Sequence, residues 1–185
     1  MQSFAKQLHI TKADIIRTII DNINKRKLPF DPNGIYAVIF RGDFNYKGFL
    51  SDWCGFHSSF TTLNSNYKLK YLVVGDPETG PVDLQSNCEQ FADGTANGSL
   101  GWDSIANIYA HEVMEVVTNI DPEQGWSLDG SVVPGNDLIV RGAENADACN
   151  WEFLSSNNSN MVVGNKSFLI QSVWQPQYGC VLAKV

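Results

Sequence analysis

Ile15, Ile16, Ile19, Ile20 and Ile23 recur at helical spacing, with polar residues between them, immediately after Thr11-Lys-Ala-Asp14. The period makes one apolar stripe and the preceding residues form a capping box variant, so a helix is predicted from about Lys12 to Lys25. Pro29, Pro32, Asn33 and Gly34 then supply turn chemistry, and the β-branched and aromatic run Ile35 to Phe40 predicts a buried strand. A second strand is expected at Lys70 to Val74. The stretch between them, with Gly42, Gly48, Gly55, Cys54 and His57, reads as irregular. From Gly75 to Gly101 the chain is turn-rich and reads as a long excursion. Asp103 or Ser104 can cap a second helix whose apolar positions Ile105, Ile108, Ala110, Val113, Met114, Val116 and Val117 cover most of its circumference, which predicts a buried central helix ending near Asn119 to Pro122. Strands at about Asp137 to Arg141, Met161 to Val163 and Ser167 to Trp174 complete an α+β pattern with a mixed sheet.

The chain has 185 residues, 43% of them hydrophobic, which suits a single domain over residues 1–185. Thirteen basic against 20 acidic side chains leave a formal charge of −7. The one basic cluster, Lys25-Arg26-Lys27, is too small to grip a polyanion, so nucleic acid is not an expected partner. No apolar run approaches the roughly 20 residues that a membrane-spanning helix needs. Cys54, Cys88, Cys149 and Cys180 form an even set without a CxxC pair, which favours two disulfides over a zinc ribbon. Of the three connectivities, Cys54 with Cys88 and Cys149 with Cys180 is favoured; each closes a loop of about thirty residues. Sequons at Asn97, Asn157 and Asn165 point to the same oxidising, secreted setting and to a glycoprotein. No charged and then apolar leader opens the sequence, so a signal peptide is expected to have been removed or to lie upstream.

The chemistry concentrates in His111-Glu112-Val-Met-Glu115. Three ionisable side chains on an otherwise apolar helix need partners, because burying unpaired charge is costly. His111 and Glu115 lie one turn apart on one face and can reach a single cation, with Glu112 beside them as general base. This is the HExxH zinc helix with glutamate in the last place. A helix supplies only two ligands here, so a further donor must come from elsewhere. Glu144 is expected as the third ligand, with Asp147 as orienting residue or alternative ligand and His57 as the rival donor. Two carboxylates would largely neutralise a dication, which weakens hydrolysis and lets calcium or manganese compete with zinc, the first candidate.

His111-Glu-Val-Met-Glu-Val-Val-Thr-Asn119 with Trp126, Glu144-Asn-Ala-Asp-Ala-Cys149, and Phe168-Leu-Ile-Gln-Ser-Val-Trp174 with Cys180 resemble segments of the EXORDIUM or phosphate-induced protein family. Leu28-Pro-Phe-Asp-Pro-Asn-Gly-Ile-Tyr36, Cys54-Gly-Phe-His57 and Tyr71-Leu-Val-Val-Gly75 fit the same family in the same order. The resemblance implies an extracellular or cell-wall protein with a zincin-like core, associated with growth control. It also implies that an N-terminal portion of the plant family domain is missing here. Where family members carry Glu-Ile-Ala-Asp-Leu-Cys or a close variant, Glu144, Asp147 and Cys149 are kept, so the departure touches packing.

Three functions follow as expectations: a metal-dependent peptidase, a secreted binding or signalling protein with a structural metal, or a wall-polysaccharide binder using exposed aromatics among Trp53, Trp102, Trp126, Trp151 and Trp174. Peptide, protein or polysaccharide would be the respective ligand.

Overall fold

A computed structural model describes residues 8–41, 44–62, 66–85, 87–89, 95–120, 125–128, 142–155 and 158–182. In chain order the elements are β1 (Leu8–His9), α1 (Lys12–Asn24), β2 (Ile35–Phe40), β3 (Phe44–Asn45), β4 (Gly55–Thr61) and β5 (Lys68–Gly75), then α2 (Val82–Gln85) and α3 (Leu100–Thr118). β6 (Met161–Val163), β7 (Lys166–Phe168), β8 (Val173–Gln175) and β9 (Gly179–Val181) follow, and 3-10 turns form at Pro77–Thr79 and Asp147–Cys149.

The alternation of β5 sets the layers. Leu69, Tyr71 and Val73 point to one face, where Ile15 and Ile19 of α1 and Tyr36 of β2 bury them. Leu72 and Val74 point to the other, against Ile105, Ile108 and Val116 of α3. β5 is buried on both faces because it is the central strand of a mixed sheet, parallel to β2 and antiparallel to β4. Burying each of these large side chains contributes about 1.5–3 kcal/mol, so β5 is the main anchor of both helices. The capping box starts α1 as expected: the Asp14 amide donates to the Thr11 hydroxyl, and the Thr11 amide donates back to the Asp14 carboxylate.

The remaining strands pair in twos, β1 with β3, β6 with β7 and β8 with β9. A C-terminal cluster of Leu128, Ala143, Ala148, Cys149 and Trp174 packs around the Asp147–Cys149 turn and the β8–β9 hairpin. Disulfides join Cys54 to Cys88 and Cys149 to Cys180, the favoured pairing. Among the described residues no helix is long and apolar enough to cross a membrane.

Several sequence expectations need correction. The segment read as irregular contains β4, whose Gly-Phe-His-Ser-Ser-Phe-Thr composition has no clean alternation and which exists by pairing with β5 along its length. The second strand runs longer than Lys70 to Val74 because that pairing extends to Lys68 and Gly75. α3 begins earlier than Asp103, with Ser99 as N-cap accepting from the Trp102 amide. Its burial is one-sided and partly polar: Val117 is 68% exposed, while Asp103, Ser104, Asn107, Glu112 and Glu115 are buried. The excursion from Gly75 to Gly101 holds the Pro77–Thr79 turn and α2. Ser167 to Trp174 divides between β7 and β8, and Asp137 to Arg141 lies outside the described residues.

Candidate functional site

Register on β4 decides which of its side chains meet α3. Leu72 and Val74 face α3, and their partners across the ladder are His57 and Gly55. Cross-strand partners share a face of the sheet, so His57 is aimed at the helix. Gly55 leaves room for what His57 meets. A Cβ at this position would stand 2.7 Å from both Glu112 Oε1 and Ile108 Cγ2, and 3.0 Å from the Val73 carbonyl oxygen.

On α3 the helical repeat brings His111 and Glu115 to one face with Glu112 turned toward β4. His57 Nδ1 lies 3.3 Å from Glu112 Oε2 and 3.3 Å from Glu115 Oε2. Its Nε2 donates to the Asn119 carbonyl at 2.8 Å, with Glu144 Oε1 3.4 Å away. Asn119 is the C-cap of α3; its amide donates to the Glu115 carbonyl, and its side-chain amide donates to the Trp126 carbonyl. On the opposite side His111 Nε2 is 3.0 Å from Glu115 Oε1 and 3.4 Å from Asp147 Oδ1. The Asp147 amide donates to Glu115 Oε1 at 3.2 Å.

The segment carrying Glu144 and Asp147 is fixed from behind. Its Asn145 exchanges two hydrogen bonds with the Trp174 backbone, the Ala148 amide donates to the Glu144 carbonyl, and Cys149 is tied to Cys180. Thus the sequence-predicted residues His57, His111, Glu112, Glu115, Glu144 and Asp147 all line one cleft of about 520 Å³. Within it Asp147 stands beside His111 and Glu144 beside His57, the reverse of the expected order of the two acids. Gly55 and the Asn119 carbonyl were not singled out as site residues. Asn119 shows in the sequence only as a helix stop, and Gly55 only as one more glycine in a loop-like stretch.

The charges in the cleft are strongly coupled. Burial works against charge on His57, but hydrogen bonds to Glu112, Glu115 and Glu144 outweigh it and the imidazole is pushed up to about 12. Burial likewise opposes charge on His111, yet Asp147 and Glu115 push it up to about 10. Glu115 would be raised by burial alone; bonds to both histidines instead hold it down at about 2. For Glu112 burial wins over the pull of His57 and His111, and its carboxyl titrates above the ordinary range. Glu115 is therefore the fixed anion, and Glu112 is the carboxyl that burial drives toward its neutral form.

Two donor sets can hold a cation, His57 with Glu112 and Glu115, and His111 with Glu115 and Asp147. Bonds of about 2.0–2.2 Å around a cation set neighbouring donors about 3–3.5 Å apart, and in each set the histidine nitrogen lies 3.0–3.4 Å from both carboxylates. Glu144 Oε1 is buried, with His57 Nε2 3.4 Å away. Leu50 and Trp151, also on the cleft wall, hold left-handed backbone at φ 66° and 60°, strain of the kind that gathers at functional sites.

The tryptophans serve different parts of the molecule. Trp174 is core, Trp53 knits Tyr46, Phe49 and Phe56 together, and the exposed Trp102 lies under the Arg41 guanidinium.

Comparison with known proteins bears on this arrangement. No solved structure matches the chain. It is 24% identical over 195 residues to Protein EXORDIUM-like 5 of Arabidopsis thaliana, an alignment covering 91% of this chain and 52% of that protein. The chain thus spans about half the length of this curated relative. The family model described as "Phosphate-induced protein 1 conserved region" matches residues 2–181, and with that match over nearly its whole length the chain belongs to the phosphate-induced protein 1 family.

Proposed function

We propose that this protein is an extracellular, divalent-cation-dependent hydrolase of peptides, zincin-like in its use of α3. The observation that carries the reading is Glu112, a buried carboxyl that lines the same cleft as His111, Glu115 and Asp147. His111 Nε2, Glu115 Oε1 and the Asp147 carboxylate would hold the cation. Zinc suits the histidine, and the two carboxylates keep manganese and calcium competitive. A cation so held supplies Lewis acidity, polarising the oxygen of a carbonyl or of water. Glu112 takes the proton that the attacking water must lose and delivers it to the departing amine. His57, anchored on the Asn119 carbonyl, orients the Glu112 carboxylate. Trp53, Phe56 and Trp151 on the cleft wall receive apolar side chains of the substrate.

A second reading, a secreted binding protein whose cation is structural, is favoured by the number of protein donors crowded into the cleft. Glu112→Gln separates the two. With zinc, manganese or calcium added, a peptide library is cleaved by the native protein and left intact by Glu112→Gln, while the variant keeps its fold by circular dichroism and keeps the cation on the His111 side, whose donors do not include Glu112. Equal residual cleavage by both proteins removes the catalytic role, and no metal-dependent cleavage by either leaves the binding protein.

A further inference from the structure

Glu115 faces two ways. Its Oε1 meets His111 Nε2 and the Asp147 amide, whereas Oε2 meets His57 Nδ1 on the sheet side. A carbonyl oxygen can only accept, so the 2.8 Å contact to Asn119 assigns the Nε2 hydrogen of His57. In neutral imidazole this leaves Nδ1 with a lone pair, directed at Glu112 Oε2 and Glu115 Oε2, both 3.3 Å away. In the imidazolium the Nδ1 hydrogen occupies this position; without it, three acceptors converge with no hydrogen among them. His57, Glu112 and Glu115 are 4%, 4% and 3% exposed, so bulk water does little to relieve the clash. Something positive must sit there, a proton or a metal ion.

We propose that a second divalent cation binds on the sheet side of α3 to His57 Nδ1, Glu112 Oε2 and Glu115 Oε2, so that Glu115 bridges two ions. The arrangement is built for this. An imidazole whose other nitrogen is fixed by a backbone carbonyl is the ordinary form of a histidine ligand. The fixing carbonyl belongs to the C-cap of the helix that carries both carboxylates, so all three donors keep their relative positions. Asn119 is itself 1% exposed and is pinned by the Glu115 carbonyl and the Trp126 carbonyl. The two donor sets share one residue, and carboxylate-bridged ions stand about 3.5–4 Å apart. The bridge rests on the reading of the His111 side given above; the binding of an ion at His57 does not.

Manganese titration of the chelator-stripped full chain tests the inference by metal analysis and electron paramagnetic resonance. Two Mn²⁺ per chain are expected, with the six-line spectrum of the first equivalent broadened by exchange coupling when the second binds. His57→Gln should hold one uncoupled ion and Asp147→Asn the other. Should His57→Gln fail to fold, as judged by circular dichroism, the native protein still decides, because two uncoupled ions would overturn the bridge. One ion per chain, kept in His57→Gln and lost in Asp147→Asn, overturns the second site and leaves the proposed function standing. One ion with the reverse dependence overturns both the bridge and the assignment of the hydrolytic cation to the His111 side. No bound manganese overturns the inference and removes manganese from the proposed function, whose zinc centre is judged by zinc content.

Discussion

At position 55 the missing side chain is part of the site. Val74 and Gly55 are ladder partners, and any Cβ at 55 would have to share space with Glu112, Ile108 and the backbone oxygen of Val73. The oxygen of a paired strand cannot retreat, so Glu112 is what moves. Gly55→Ala should cost about 1–3 kcal/mol of unfolding free energy, in the range of overpacked cores. It should also weaken binding on the His57 side while sparing the His111 side. Urea unfolding and metal analysis together check this, and a variant with native stability and native metal content would show that the close approach of Gly55 to Glu112 does not exist.

Among the elements, the β6–β7 hairpin and the start of α3 make opposite uses of asparagine. Asn97 is exposed, yet its side-chain amide donates to Asp103 Oδ1 at 2.6 Å and to the Ser167 carbonyl at 2.7 Å, linking α3 to β7. Asn165 sits in the turn between β6 and β7, exposed and next to Gly164 at φ 60°. Attaching a sugar replaces an amide hydrogen, so Asn97 would lose one of its bonds and Asn165 none shown here. When the protein is made in a eukaryotic secretory host, glycan is expected on Asn165 and not on Asn97. Peptide mass mapping after enzymatic deglycosylation reads this directly, and equal occupancy of both would refute it; Asn157 lies outside the described residues. The same contrast explains what the sequence made legible. α1 and β2 carry their own period or apolar run and could be read to within a residue or two. β4 carries neither, since His57, Ser58 and Ser59 occupy its middle, and its strand character comes from β5. The helix half of the site was therefore readable from spacing alone, because His111, Glu112 and Glu115 are local. That His57 meets them, and that Asp147 stands nearer His111 than Glu144 does, depends on long-range register and on the fixing of Asn145 by Trp174.

For the molecule as a whole, α3 lies between two cross-linked neighbours. Cys54 precedes β4 and is bonded to Cys88, and Cys149 ends the turn that begins at Asp147 and is bonded to Cys180. Each bond closes a loop of 34 or 31 residues, which the chain-entropy model values at about 3–4 kcal/mol. Replacing Cys149 and Cys180 together by Ser should lower stability by that amount. Because the Asp147 segment would then lose its covalent link and keep only hydrogen bonds and the packing of Ala143 and Ala148, metal on the His111 side should fall sharply while helix content persists. Circular dichroism and metal analysis distinguish this from global unfolding, and full metal content in the double variant would show that the covalent link does not hold the donor.

These two bonds also sort the molecule by what holds each part. Apolar burial and strand pairing hold α1, the sheet and α3, and the same pairing positions His57, whereas the Asp147 segment is further secured by the Cys149–Cys180 bond. Reductant should therefore divide the molecule, the apolar layers keeping their helix content while the edge that carries Asp147 beside His111 loosens first.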